Sequence, residues 1–106
     1  MSNNRKICVI GSGNWGLNHI RTLNYMGNLG GVVDIDSNSL AKIKNQYKNI
    51  NCHTNLDESF YENYSGYIVA TPAPTHYDIA KQILCHKHHV LIEKPVTLNS
   101  LDAIDL

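Results

Sequence analysis

No apolar run in this chain approaches the ~20 residues that a membrane-spanning helix needs, and the polar amino terminus, Met1 to Lys6, lacks the apolar core of a secretory signal. Both absences point to a cytoplasmic protein without a membrane partner. An excess of either charge is missing too, since nine basic and nine acidic residues cancel to a formal net charge of zero. That excludes the electrostatic footprint of a nucleic-acid binder and suits a small neutral or anionic ligand. Cysteine is sparse: Cys8, Cys52 and Cys85 are odd in number, far apart and in no C-x-x-C pair. Neither a disulfide framework nor a zinc site follows, so they read as reduced thiols, with Cys8 a small buried hydrophobe inside an apolar run. Six histidines are present, but His86, His88 and His89 lack a nearby carboxylate or cysteine set to complete a coordination shell, so no metal is expected.

What is present is a rhythm. Short apolar runs alternate with segments of helical period, over 106 residues that form one domain and bury roughly 60 to 70% of their unfolded surface. Such alternation predicts βαβ units around a parallel sheet. Strands are expected at Arg5 to Ile10, Gly30 to Asp34, the short Ile50 to His53 at an edge, Gly66 to Ala70, and His89 to Ile92. Between them, the spacing predicts a helix over Asn14 to Met26, with Trp15, Ile20, Leu23 and Met26 facing inward and Gly27 as terminator. A second helix runs to about Lys48 with Ser37 or Asn38 as its cap. A weak helix covers Leu56 to Tyr61, and a fourth runs from about His76 to His86 behind Thr75 as cap. Leu98, Leu101 and Ile104 begin an amphipathic pattern that stops at Leu106, as expected of a fragment or of one domain of a larger enzyme.

Three stretches carry chemistry. The first strand runs into Gly11, Gly13 and Gly16, the G-x-G-x-x-G spacing of a dinucleotide site. Gly11 allows the tight turn, Gly13 lets the backbone approach a pyrophosphate, and Gly16 lets helix pack on strand. The amides of residues 12 to 16 and the helix dipole are expected to face that pyrophosphate. An acid should close the second strand and accept bonds from the adenosine ribose. Asp34, 18 residues after Gly16, fits, with Asp36 the competing candidate and a helix cap or turn the plain alternative for either. A carboxylate there repels a 2′-phosphate, and residues 35 to 39 contain no arginine to compensate, so NAD is expected ahead of NADP. The second stretch is Ala70-Thr71-Pro72-Ala73-Pro74-Thr75-His76, where two prolines stiffen a loop at the carboxyl end of a buried strand. Alone it reads as a rigid connector. The third is Glu93-Lys94-Pro95, where a proline holds Lys94 extended and a partly desolvated lysine can move a proton. Taken alone it reads as a solvated ion pair.

Together, Gly11-Ser12-Gly13-Asn14-Trp15-Gly16, Asp34, Thr71-Pro72 with His76, and Glu93-Lys94-Pro95 resemble the amino-terminal domain of the Gfo/Idh/MocA oxidoreductases, along nearly the whole chain. The resemblance implies a Rossmann-like, doubly wound parallel sheet in three α/β/α layers. It also implies NAD(P)-dependent hydride transfer at a hydroxyl carbon of a sugar, cyclitol or nucleotide-sugar. Lys94 would be catalytic, bonding the reacting hydroxyl or its proton relay. Glu93 and Trp15 would lie near the nicotinamide, Thr71, Pro72 and His76 would line the cofactor cleft, and Asp34 would hold the ribose. The run Trp-Gly-x-Asn-His at 15 to 19 is most similar to members acting on nucleotide-sugars. The family's carboxy-terminal substrate domain and the sixth strand of its cofactor domain are not in this sequence. That leaves a homo-oligomer open and puts catalysis by these residues alone in doubt. A stand-alone nucleotide-binding or redox-sensing module is the alternative.

Overall fold

The structure is a computed structural model that describes residues 6–92. Glu93, Lys94 and the amphipathic pattern after them lie outside the described residues.

Five parallel strands make one sheet in the order β3-β2-β1-β4-β5. They are β1 (Ile7–Ile10), β2 (Leu29–Val33), β3 (Asn51–His53), β4 (Gly66–Val69) and β5 (His89–Ile92). The helices are α1 (Asn14–Met26), α2 (Ser37–Gln46), α3 (Leu56–Ser59) and α4 (His76–Cys85). This is the expected Rossmann arrangement. Strands β1 and β4 are covered on both faces, which is why they read as unbroken apolar runs rather than as alternating ones.

Val9, Ile20, Leu23, Val32, Leu40, Ile43 and Ile68 form the core on one face of the sheet. Cys8, Ile10, Val33, Tyr64, Tyr67, Val69 and Ile83 form it on the other. The two glycines inside β2 belong to the second layer. A side chain on Gly31 would run into the Tyr64 hydroxyl, which instead reaches His53 Nε2 at 2.8 Å. Tyr67 shares a bond of 3.1 Å with Ser59 Oγ, so both buried phenols have partners.

Local signals set most boundaries. Gly27, at φ 77°, ends α1 in the left-handed conformation, and the Asn28 amide closes back on the Leu23 carbonyl at 2.9 Å. Two expected inward residues of α1 do not face inward: Trp15 is 68% and Met26 60% exposed. The buried stripe is Gly16, Ile20 and Leu23, and both residues sit about a quarter turn away from it. The cap of α2 is Asp36, not Ser37 or Asn38. Asp36 is the last extended residue, and its Oδ1 accepts the Asn38 amide at 2.9 Å. The weak helix after Asn55 divides into α3 and a 3-10 turn at Phe60–Glu62. Thr75 precedes α4 without capping it through its side chain, because its hydroxyl is turned back to the Pro72 carbonyl at 2.6 Å.

Candidate dinucleotide site

At the carboxyl ends of β1, β2 and β4 the chain gathers three loops, the place where open α/β sheets bind ligands. Gly11, at φ 98°, turns the chain out of β1. Its amide donates to the Val33 carbonyl at 2.8 Å, and a Cβ there would press on the Ala70 carbonyl oxygen and the Thr71 methyl, both at 3.0 Å. The absence of a side chain therefore seats the glycine turn directly against the β4 loop. A Cβ on Gly16 would fall on the Gly11 carbonyl, so that glycine sets how closely α1 sits over β1.

Gly13 differs. Nothing stands within 4 Å of the position its Cβ would take, and as the residue before α1 it makes no side-chain cap bond. The first α1 amides are thus not capped by its side chain, and the helix's first turn holds no acidic residue. An exposed helix start of this kind, with the dipole behind it, suits a phosphate. The described residues therefore fit a dinucleotide: a close-packed turn at Gly11 and Gly16, and open space at Gly13.

Asp34 lies just beyond β2, its amide donating to the His53 carbonyl at 3.0 Å. Its Oδ2 accepts from the Ser12 amide at 3.0 Å and the Ser12 hydroxyl at 2.5 Å, and its Oδ1 accepts the Asp36 amide at 2.9 Å. These bonds correct one expectation. The Ser12 amide faces Asp34 rather than a pyrophosphate, because Ser12 leaves β1 beside the end of β2. Asp36 is a helix cap, and the Asn38 amide and the Ser39 side chain and amide hold its carboxyl below the usual carboxylate range. Of the two aspartates, Asp34 is the one bonded to the glycine turn.

The β4 loop is more ordered than a plain connector. Ala73–Thr75 form a 3-10 turn, and the Thr71 and Thr75 hydroxyls share a bond of 2.6 Å. His76 is buried, and its Nε2 donates to the Thr71 carbonyl at 2.7 Å. Its imidazole thus fixes the loop from beneath, while Thr71 is half-buried and Pro72 exposed above it. Trp15 stands in solvent on the first turn of α1.

Ile35, between the two aspartates, is 91% exposed, an apolar side chain placed where β2 has already ended. Elsewhere, a concavity lined by Lys6, Asn24, Tyr47 and Lys48 sits around the amino end of β1 and the end of α2, away from Ser12 and Asp34. No group of three metal-ligating side chains occurs among the described residues. His86 stacks on Phe60 with ring centroids 3.8 Å apart. No helix among the described residues is long and apolar enough to cross a membrane.

Comparison with known proteins agrees with this geometry. Residues 5–106 match the Gfo/Idh/MocA family as described by its oxidoreductase, NAD-binding Rossmann fold. An uncharacterized oxidoreductase of Synechocystis sp. is 32% identical, covering 99% of this chain and 29% of that protein. The crystal structure of GenD2 from gentamicin A biosynthesis, in complex with NAD, superposes with a TM-score of 0.91 at 30% identity, over 99% of this chain and 31% of that one. The UDP-N-acetylglucosamine 3-dehydrogenase GnnA from Acidithiobacillus ferrooxidans gives a TM-score of 0.86 at 27% identity, over 94% and 32%. The chain thus spans about a third of the length of these relatives. It belongs to the Gfo/Idh/MocA oxidoreductase family, whose NAD-binding Rossmann fold it forms.

Proposed function

We propose that residues 1–106 are the dinucleotide-binding domain of a longer NAD-dependent dehydrogenase that transfers a hydride to or from a hydroxyl carbon of a nucleotide-sugar. The observation that carries this reading is the open space at Gly13 in front of the uncapped start of α1, with Asp34 locked beside it. In it, the amides from Gly13 onward hold the pyrophosphate, Asp34 and Ser12 hold the adenosine ribose, and Ile35 borders the adenine. Thr71 and Pro72 line the cleft, with His76 fixing their loop, and Asn14 and Trp15 stand on the nicotinamide side.

Bound NAD supplies a hydride acceptor at its nicotinamide. The protein's part is to align the alcohol carbon and to take its proton, and positioning alone can lower a barrier by several kcal/mol. Glu93 and Lys94 follow β5, beyond the described residues. In this reading Lys94 exchanges the proton with the reacting hydroxyl, and Glu93 sits by the nicotinamide. NAD is preferred to NADP because a 2′-phosphate would meet the Asp34 carboxylate with no arginine among residues 35 to 39. The free cysteines fit a cytoplasmic setting.

A nucleotide-sugar substrate is supported by the likeness to GnnA, a UDP-N-acetylglucosamine 3-dehydrogenase, and by Trp15-Gly16-Leu17-Asn18-His19. The test is nicotinamide absorbance of the full-length enzyme with a panel of UDP-sugars and free sugars. NADH formation with UDP-sugars in preference to free sugars is expected. Turnover of free sugars or cyclitols alone would overturn the substrate class, and no turnover with any of them would overturn the reaction.

A further inference from the structure

We propose that Tyr64, a buried residue outside the glycine turn and the β4 loop, is a positioning residue that tightens the edge of the sheet beneath the dinucleotide site. Its hydroxyl lies over β2 and holds His53, the last residue of β3. This rests on the NAD site proposed above. β3 is three residues long and stands at the edge of the sheet. A strand so short has few ladder bonds to hold it, and such segments open locally at low cost. Its last residue matters beyond the sheet, because the His53 carbonyl accepts the Asp34 amide at 3.0 Å. The bonds from Ser12 and from the Asp36 amide orient the Asp34 carboxylate, whereas His53 anchors the backbone that carries it.

β2 is shaped to let Tyr64 reach His53. The register of β1 against β2 shifts between Ile7, opposite Leu29, and Cys8, opposite Gly31, which leaves Gly30 as the extra residue of a bulge. A Cβ on Gly30 would lie 3.0 Å from the Tyr64 ring, and one on Gly31 would fall on its hydroxyl. Two adjacent glycines thus open a slot for one side chain. Tyr64 is 4% and His53 8% exposed, and the hydroxyl meets His53 Nε2 at 2.8 Å with the rings edge to face at 76°. Water cannot readily replace a partner lost at such depth, so this bond resists the opening of β3 more than a surface bond would. Tyr64 acts through His53 and the Asp34 backbone, and not by contact with the dinucleotide.

The test is hydrogen exchange and calorimetric titration of the full-length protein and its Tyr64→Phe variant, which keeps the ring in the slot and removes only the hydroxyl. The Asp34 amide should exchange about three- to tenfold faster in the variant, the scale of one lost hydrogen bond, with the amides of β1 unchanged. NAD affinity should fall by about three- to tenfold, while affinity for nicotinamide mononucleotide, which lacks the adenosine half, should stay as in wild type. A merely structural role would raise exchange in every strand and would not separate the two ligands. Adding Tyr64→Phe to a His53→Phe background should weaken NAD no further, because the hydroxyl then has no partner to lose. Unchanged exchange at Asp34, unchanged NAD affinity, equal weakening of both ligands, or a full additional loss in the double variant would overturn the assignment while leaving the NAD site intact. Failure of the wild type to bind NAD would instead overturn the site and this inference with it.

Discussion

The carbonyl oxygen of Gly11 occupies the space in which a Cβ on Gly16 would stand. Turn and helix are therefore in contact through backbone alone, whereas Gly13, two residues into the same motif, faces open space. The three glycines divide into two that serve packing and one that faces open space.

Gly16→Ala should cost about 2 kcal/mol or more, because the added methyl must push α1 off β1. Gly13→Ala should cost under about 1 kcal/mol, the difference between glycine and alanine at a helix N-cap, yet should weaken NAD binding. Denaturant midpoints beside calorimetric affinities separate the two. Equal destabilisation by both substitutions would contradict the division.

Asp36 and Asp34 stand two residues apart and should fail in different ways. Asp36→Ala removes the side-chain acceptor of the Asn38 amide and should lower stability by about 1 kcal/mol. It should leave NAD affinity nearly unchanged, since Asp34 is bonded to the backbone amide of residue 36 and not to its side chain. Thermal melts and NAD titration of the same variant check both halves.

Alkaline pH should loosen the fold in two steps. Burial raises the Cys8 thiol well above its ordinary 9.0, with a smaller contribution from Cys52, and burial raises the Tyr67 phenol from 10.0 to about 12, partly offset by the Ser59 bond. For both, the unfolded chain releases the proton first. Their stabilisation is complete below the ordinary value and is lost as pH rises towards the raised one. Stability measured by urea unfolding should begin to fall above about pH 9 and fall more steeply between about 10 and 12. Cys8→Ala should shrink the first step, to which Cys52 also contributes because burial raises its thiol, and Tyr67→Phe should shrink the second, to which Tyr64 also contributes because burial raises its phenol. A flat profile across this range would contradict it.

The order of elements was readable because each rests on local pattern. The run Ile7-Cys8-Val9-Ile10 has no polar break, Gly27 ends a helical period, and Asp34 stands at the expected distance from Gly16. What escaped depended on distance or on competition between neighbours. Trp15 and Ile20 are both apolar, and only the seating of Gly16 on Gly11 decides which of them is buried. Asp36, Ser37 and Asn38 are all good caps, and the extended backbone at Asp36 selects among them. The bond from Ser12 to Asp34 spans 22 residues, and neither partner signals it alone. His76 read as a cleft residue by its place in the motif, while its burial beneath Thr71 comes from the turn at Ala73–Thr75.

Lys94, which follows Glu93 beyond the described residues, is the residue on which chemistry should depend. In the full-length enzyme Lys94→Ala should lower turnover by about 100- to 10,000-fold, the range for a general acid or base, with NAD affinity nearly intact. Equal loss of both, in steady-state kinetics beside NAD titration, would make it a binding or folding residue instead.

The most direct measurement is a calorimetric titration of NAD into the full-length protein and into its Asp34→Ala variant. Saturable binding at one site per chain is expected in the first and a loss of at least about tenfold in affinity in the second, since hydrogen bonds to a charged acceptor are removed. An absence of saturable binding to the wild type, or equal affinity in the two, would contradict it.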